Sequence, residues 1–194
     1  IINYCHDTLG VIVPNAPEVL GGEEGEDEEG AQIFTAATTG QQARIVWGIA
    51  KRMVEKTPAL QNHFGIKAWA NAIANYSVGG TFRPINSKAS TQDGLNPSAA
   101  GIDEVHAHKS HDLINVLQSA AGARENPLWL FTTTEGYETP ASWPELRHMV
   151  KQMLEGIVEA DHVLALYFAV DDEDDDFDPL AWRKANQLHD VNPK

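Results

Sequence analysis

Four short apolar runs dominate the chain, and none of them alternates polar with apolar residues. They are "AQIFTAAT" (31–38), "SAAGID" (98–103), "PLWLFTTT" (127–134) and "HVLALYFAV" (162–170). A strand with one wet face must alternate, so continuous runs separated by helical stretches predict a mostly parallel sheet covered by helices on both faces. From Gln41 to Lys56, Ala43, Val46, Trp47, Ala50, Met53 and Val54 recur at helical spacing and predict one apolar helix face. Leu113, Ile114 and Leu117 do the same over 110–121, and a third helix is read from Pro144 to Val158 with Ser142 as its N-cap. "AIANYS" and "GTFRPINS" flank Val78-Gly79-Gly80 as a hairpin, and 88–97 reads as a loop rich in turn formers.

Ligands of such sheets bind beyond the carboxyl ends of the strands. The residues to weigh are therefore Thr38 and Thr39, Asp103 and Glu104, Thr133 and Thr134, and Asp171. Asp103 and Glu104 form an acidic pair at the end of an apolar strand. In a P-loop ATPase such a pair divides the labour: one carboxylate holds Mg²⁺ through water, and the other orients and deprotonates the attacking water. The stretch that follows, "VHAHKSH", supports a second reading. His106 and His108, with Asp103, could ligate a metal in a metal-dependent hydrolase, with His63, His148, His162 and His189 as remote additional ligands. A third reading is a non-catalytic, degenerate ATPase serving as scaffold.

The net charge of −14, from 14 basic and 28 acidic residues, argues against a broad nucleic-acid surface. Much of the excess sits in "GGEEGEDEEG" (21–30) and "DDEDDDFD" (171–178), both read as solvated loops. The second lacks the oxygen spacing of a calcium loop. Cys5 is the only cysteine, so no internal disulfide can form, and no apolar run spans a bilayer. A Walker A sequence, G-x-x-x-x-G-K-[ST], is absent from the 194 residues, which contain no Gly-Lys pair.

In order and near-family spacing, "IFTAATTGQQARIVW", "INSKASTQDGLNPSAAGIDEVHAHKSHDLINVLQSAAGARENPLWLFTTTEG", "MLEGIVEADHVLALYFAVDDEDDDFD" and "WRKAN" resemble the ATPase domain of tailed-bacteriophage terminase large subunits. The resemblance covers roughly residues 31–187. It implies a P-loop NTPase fold of the ASCE type, N-terminally truncated, with ATP and Mg²⁺ as cofactors. It also implies a motor that packages double-stranded DNA into a procapsid, as a homo-oligomeric ring working with a portal protein and a small terminase subunit in the host bacterial cytoplasm, unsecreted and away from membranes.

On that resemblance Asp103 is the Walker B magnesium carboxylate, Glu104 the catalytic glutamate, and Thr133 and Thr134 the coupling segment. Arg124 and Lys88 are candidates for a phosphate-sensing or finger role, and Arg83 is a weaker one. His106 and His108 belong to the family pattern rather than to a metal site. Departures are Glu135 in the coupling segment and the small side chains of Ala99-Ala100-Gly101-Ile102 before the acidic pair.

The expected division is 1–30 as the end of a truncated helix, "IINYCHDTL", plus an acidic loop; 31–187 as a partial ATPase domain; and 188–194 as the start of a linker towards a nuclease domain. With the Walker A strand missing, the fragment alone is expected to have unpaired sheet edges, to be marginally folded and to be inactive.

Overall fold

The structure, a computed structural model, describes residues 10–14, 28–86, 94–134, 142–175 and 177–186. "IINYCHDTL", most of the acidic loop 21–30, Lys88, Glu135, Gly136 and the linker 188–194 lie outside them.

Eight strands form one sheet: β1 (Gly10–Pro14), β2 (Gln32–Ala37), β3 (Ile66–Ala68), β4 (Ile73–Asn75), β5 (Gly80–Asn86), β6 (Pro97–Asp103), β7 (Leu128–Thr133) and β8 (Val163–Leu166). Their order is β3-β4-β5-β2-β6-β7-β1-β8. The centre, β5-β2-β6-β7, is parallel throughout, whereas β3, β4 and β5 form an antiparallel meander at one edge. The hairpin read around Val78-Gly79-Gly80 is the β4–β5 pair, in register from Ile73 opposite Phe82 to Asn75 opposite Gly80. Gly79 takes φ +68°, a conformation that favours glycine.

Both faces of the sheet are covered, as the unalternating runs require. On β2, Phe34 and Ala36 point to one side, and the register continues that side through Ala100 and Ile102 of β6 to Trp129 and Phe131 of β7. There they join Leu113, Ile114 and Leu117 of α3 (Asp112–Ala120) and Val150 of α4 (Ser142–Leu154) in the main core. The other side of β2 faces α1 (Gly40–Lys56): Thr35 Oγ1 donates to the Ala43 carbonyl at 2.9 Å. Trp47 and Val54 of α1 pack with Ile73 of β4 and Phe82 of β5, joined by Leu60 of the short α2 (Pro58–Asn62).

α1 starts where Thr39 caps it, its hydroxyl accepting from the Gln42 amide. Its buried stripe is Ala43, Trp47 and Val54, while Met53, one residue off that stripe, is exposed. Helix α4 begins at Ser142 rather than after it and ends at Leu154, four residues earlier than its periodicity suggests. Gly156 at φ +72° turns the chain away there, its amide bonding the Met153 carbonyl at 3.0 Å. Strand β8 covers only the first part of the 162–170 run, because its pairing with β1 extends from Val163 to Leu166.

Residues 10–14, expected in a helix end and loop, form β1. It lies between β7 and β8 and runs antiparallel to both, so neither of those strands presents an open edge to the other. The acidic run 171–178 is likewise more than a solvated loop. Asp178 caps α5 (Pro179–Ala185), accepting from the Leu180 amide at 2.9 Å with Pro179 in the first turn. Lys184 of α5 returns to Asp171 and Asp174 at 2.9 and 2.7 Å. These bonds hold the lysine above and Asp174 below their ordinary pKa values. Among the described residues, no helix is long and apolar enough to cross a membrane.

Candidate active site at the carboxyl ends of β6 and β7

Because β2, β5, β6 and β7 run in one direction, their carboxyl ends share one rim of the sheet. Asp103 closes β6 opposite Thr132 of β7, and Thr133 and Thr134 follow on the neighbouring strand. Gly10, the first residue of β1, is opposite Thr133, so the chain enters β1 at this same rim.

The Asp103 carboxylate is fixed from two sides. Thr132 Oγ1 donates to its Oδ1 at 2.7 Å, and the Glu104 amide donates to the same oxygen at 3.0 Å. No described residue donates to Oδ2, so the carboxylate is oriented through one oxygen and retains acceptor capacity on the other. That is the arrangement a water-mediated Mg²⁺ ligand needs, and Asp103 fits it.

Glu104 has φ 54° and ψ 49°, and among the described residues it is the one non-glycine with positive φ. The left-handed conformation costs a non-glycine residue about 1–2 kcal/mol. Here it breaks the line of β6 just past its last residue, Asp103, and lets the chain enter a 3₁₀ turn, Val105–Ala107. Two bonds lock the turn, Ala107 N–H to the Glu104 carbonyl at 2.8 Å and His108 N–H to the Val105 carbonyl at 3.1 Å, and Val105 is fully buried beneath it. The strained residue holds a partly exposed carboxylate at the rim.

The two histidines have different surroundings. His108 is buried, and its Nε2 meets the Asp103 backbone carbonyl at 3.2 Å, so this nitrogen carries the hydrogen. Desolvation is the largest effect on its pKa and lowers it, against opposing contributions from the Asp103 carbonyl and charge. His106 sits between elements. Its backbone N–H donates to Thr133 Oγ1 at 3.0 Å, its Nδ1 lies 3.0 Å from that hydroxyl, and its Nε2 is 3.2 Å from Glu104 Oε2. Among the described residues no three His, Cys, Asp or Glu side chains converge as a metal-binding group, so the cluster of His106, His108 and Asp103 read as a metal centre is not assembled.

Thr133 is 3 % exposed, and its one hydroxyl hydrogen has two acceptors within reach, the Thr134 carbonyl and His106 Nδ1, each at 3.0 Å. Thr134 Oγ1 is 3.5 Å from His106 Nδ1, at the limit of a bond. Thr38 and Thr39 at the end of β2 both donate to Gln42 Oε1, at 2.7 and 3.0 Å, and so build the start of α1.

Arg124 lies at the other end of the sheet. Its guanidinium binds Glu28 at 2.5 Å, the Gly30 carbonyl at 2.9 Å and the Asn96 carbonyl at 3.3 Å, residues that lead into β2 and β6, while Arg124 itself leads into β7. At a rise of about 3.3 Å per residue, the length of β6 puts it roughly 20 Å from Asp103. It therefore clips three strand entrances together and does not reach the rim of its own chain. Arg83 lies over the Phe34 ring at 5.2 Å, within the sheet.

The sequence alone does not show that Thr132 orients Asp103. Only the parallel register, Asp103 opposite Thr132, reveals its part.

Comparison with known proteins agrees with this fold. Protein YmfN of Escherichia coli (strain K12) is 34 % identical over 132 residues, covering 68 % of this chain and 28 % of that protein. The terminase large subunit of Enterobacteria phage HK97 is 29 % identical over 112 residues, covering 57 % of this chain and 22 % of that protein. The chain thus spans less than a third of the length of the curated relatives it matches. The crystal structure of the HK97 large terminase superposes with a TM-score of 0.70 at 22 % identity, over 84 % of this chain and 33 % of that one, a likeness of fold. The family described as terminase large subunit, ATPase domain, matches residues 19–152, more than half of the chain and a span that includes the Asp103–Thr134 rim. A mostly parallel sheet with this rim, matched along most of its length, makes the chain a member of the terminase large subunit ATPase domain family.

Proposed function

We propose that this chain carries the hydrolytic half of an ATP-driven motor that packages double-stranded viral DNA into a procapsid. The observation that carries the reading is the paired geometry of Asp103 and Glu104. One carboxylate is clamped through a single oxygen by Thr132 and a backbone amide, and the next is thrust to the rim by a left-handed residue. Asp103 would hold Mg²⁺ through water. The cation would neutralise charge developing on the β- and γ-phosphate oxygens.

Glu104 orients a water in line with the γ-phosphorus and takes its proton as the new oxygen–phosphorus bond forms. The bond from the γ-phosphorus to the bridging oxygen breaks, and its electron pair leaves with ADP. Thr133 and Thr134 end the adjacent strand, and they would couple loss of the γ-phosphate to movement of DNA. In the whole protein a Walker A loop would supply the triphosphate cradle. In the whole protein a ring of copies docked on a portal, together with a small terminase subunit, would do the work in the cytoplasm of the host, and a nuclease domain would follow.

The test is DNA-stimulated ATPase activity of the full-length protein, wild type against Glu104→Ala, with and without a zinc chelator. The expected result is loss of Mg·ATP turnover in the variant and no effect of the chelator. Turnover that survives the substitution but disappears with chelation would hand the site to the histidines. Absence of turnover in the wild type would favour a scaffold.

A further inference from the structure

His106 stands between the two parts of the site that the proposed function assigns separately. Its ring reaches Glu104 Oε2 through Nε2 at 3.2 Å and Thr133 Oγ1 through Nδ1 at 3.0 Å, and its own amide donates to the same hydroxyl at 3.0 Å. Glu104 and His106 lie on the turn after β6, and Thr133 closes β7, so the imidazole is a bridge between two strand ends. We propose that His106 is a positioning residue that locks the Glu104 carboxylate to Thr133, so that the water-activating group and the coupling strand change position together.

Hydrogen bookkeeping supports a directional bridge. A carboxylate only accepts, so Nε2 must carry its hydrogen toward Glu104, and a neutral ring then leaves Nδ1 as an acceptor. The Thr133 hydroxyl has one hydrogen and two acceptors at 3.0 Å, Nδ1 and the Thr134 carbonyl. While Glu104 holds the ring, the hydroxyl is claimed by Nδ1. When Glu104 moves away and the ring turns, the hydroxyl is released to the Thr134 carbonyl. The position of Glu104 therefore selects the hydrogen bonding of the last residues of β7. Thr133 is buried, so no bulk water substitutes for the lost partner.

This inference rests on Glu104 being the base, and the two arms of the bridge can be separated chemically. In Asn the amide occupies the place of Nδ1 and keeps the Thr133 arm only; in Gln it occupies the place of Nε2 and keeps the Glu104 arm only. The full-length protein is assayed for kcat and KM toward Mg·ATP and for base pairs of DNA moved per ATP hydrolysed. Glu104→Ala is included, and each variant's thermal midpoint is checked.

His106→Ala is expected to lower kcat about tenfold or more with KM unchanged, the size of effect that misplacing a base produces. His106→Gln should restore kcat to within about threefold while base pairs per ATP stay at the alanine level. His106→Asn, which has lost the Glu104 arm, should leave both kcat and base pairs per ATP at the alanine level. If alanine lowers the thermal midpoint, the Asn and Gln variants carry the comparison. Wild-type kcat and coupling in His106→Ala, or Asn and Gln variants that cannot be told apart, would overturn the bridge. An inactive Glu104→Ala beside a fully active His106→Ala sinks the bridge alone, whereas an active Glu104→Ala sinks the base assignment and the bridge with it.

Discussion

Thr132→Val isolates the clamp on Asp103, because valine keeps the shape and deletes only the hydroxyl. The bond removed is 2.7 Å long, to a carboxylate oxygen in a partly buried setting. Hydrogen bonds to charged acceptors contribute about 1.5–3 kcal/mol, and partial exposure places this one near the lower end. Valine is at least as good as threonine in a strand and returns a few tenths of a kcal/mol. A net loss of about 1 kcal/mol follows, which lowers the melting temperature by roughly 3 °C for a chain of this size.

The larger effect is expected on Asp103 as the carboxylate proposed to hold magnesium. With the Glu104 amide as the remaining donor to Oδ1, Asp103 is free to rotate about its terminal torsion. If the bond's own ~1.5 kcal/mol is felt at the cation, the Mg²⁺ concentration for half-maximal ATPase activity rises about tenfold. The assay is a Mg²⁺ titration of turnover by the full-length protein, with Thr132→Ser, which keeps the hydroxyl, as control. A valine variant with the same Mg²⁺ requirement and melting temperature as the serine variant would refute the clamp.

Three further substitutions separate stability from chemistry. Arg124→Ala removes the clip on three strand entrances and is expected to cost about 2 kcal/mol in urea unfolding, with turnover per folded molecule unchanged; a finger arginine would instead cost about 10³-fold or more in kcat with the fold intact. Trp47→Ala deletes a ring that is 4 % exposed and bonded through Nε1 to the Phe82 carbonyl at 3.2 Å, and should destabilise by about 3–5 kcal/mol in the same measurement. His108 is a pH-sensitive element: its folded pKa lies below the ordinary 6.5, so the unfolded chain binds the proton more readily. Its contribution is complete above pH 6.5 and is lost as pH falls from there through the folded value. His108→Gln, which can donate to the same Asp103 carbonyl, should flatten that part of the stability–pH curve.

The parallel sheet was legible because buried strands leave continuous apolar runs, and α1 and α3 because their apolar residues keep helical spacing. The acidic pair was legible because a strand end followed by Asp103-Glu104 is a pattern of residue types. What escaped was short or relational. Strand β3 has three residues and α2 five, too few for a period, and both are held by packing of Ile66, Ala68 and Leu60 against the cluster of Trp47, Val54 and Ile73 rather than by their own pattern. Asp178-Pro179 announced α5 but was hidden among other acids. Strand β1 is defined by its neighbours β7 and β8, which no local reading can supply.

The site divides the same way. Asp103, Glu104, Thr133 and Thr134 were named from the sequence and converge on one rim, whereas Arg124 was named and lies at the opposite end. A Gly-Ala-Arg element before a strand shows that an arginine is there, but the parallel direction of β7 decides which end of the sheet it occupies. Thr132 and the bridging place of His106 depend on distances between separate strands, and those exist only once the register is fixed.

The central claim is that Glu104 activates water beside a magnesium carboxylate, and Glu104→Gln in the full-length protein tests it most directly, because the amide keeps size and position but cannot accept the proton. Binding of Mg·ATP and single-turnover phosphate release are measured side by side with wild type. Nucleotide affinity within a fewfold of wild type, with phosphate release slowed by roughly 100-fold or more, is the result the account predicts. Phosphate release at the wild-type rate would contradict it.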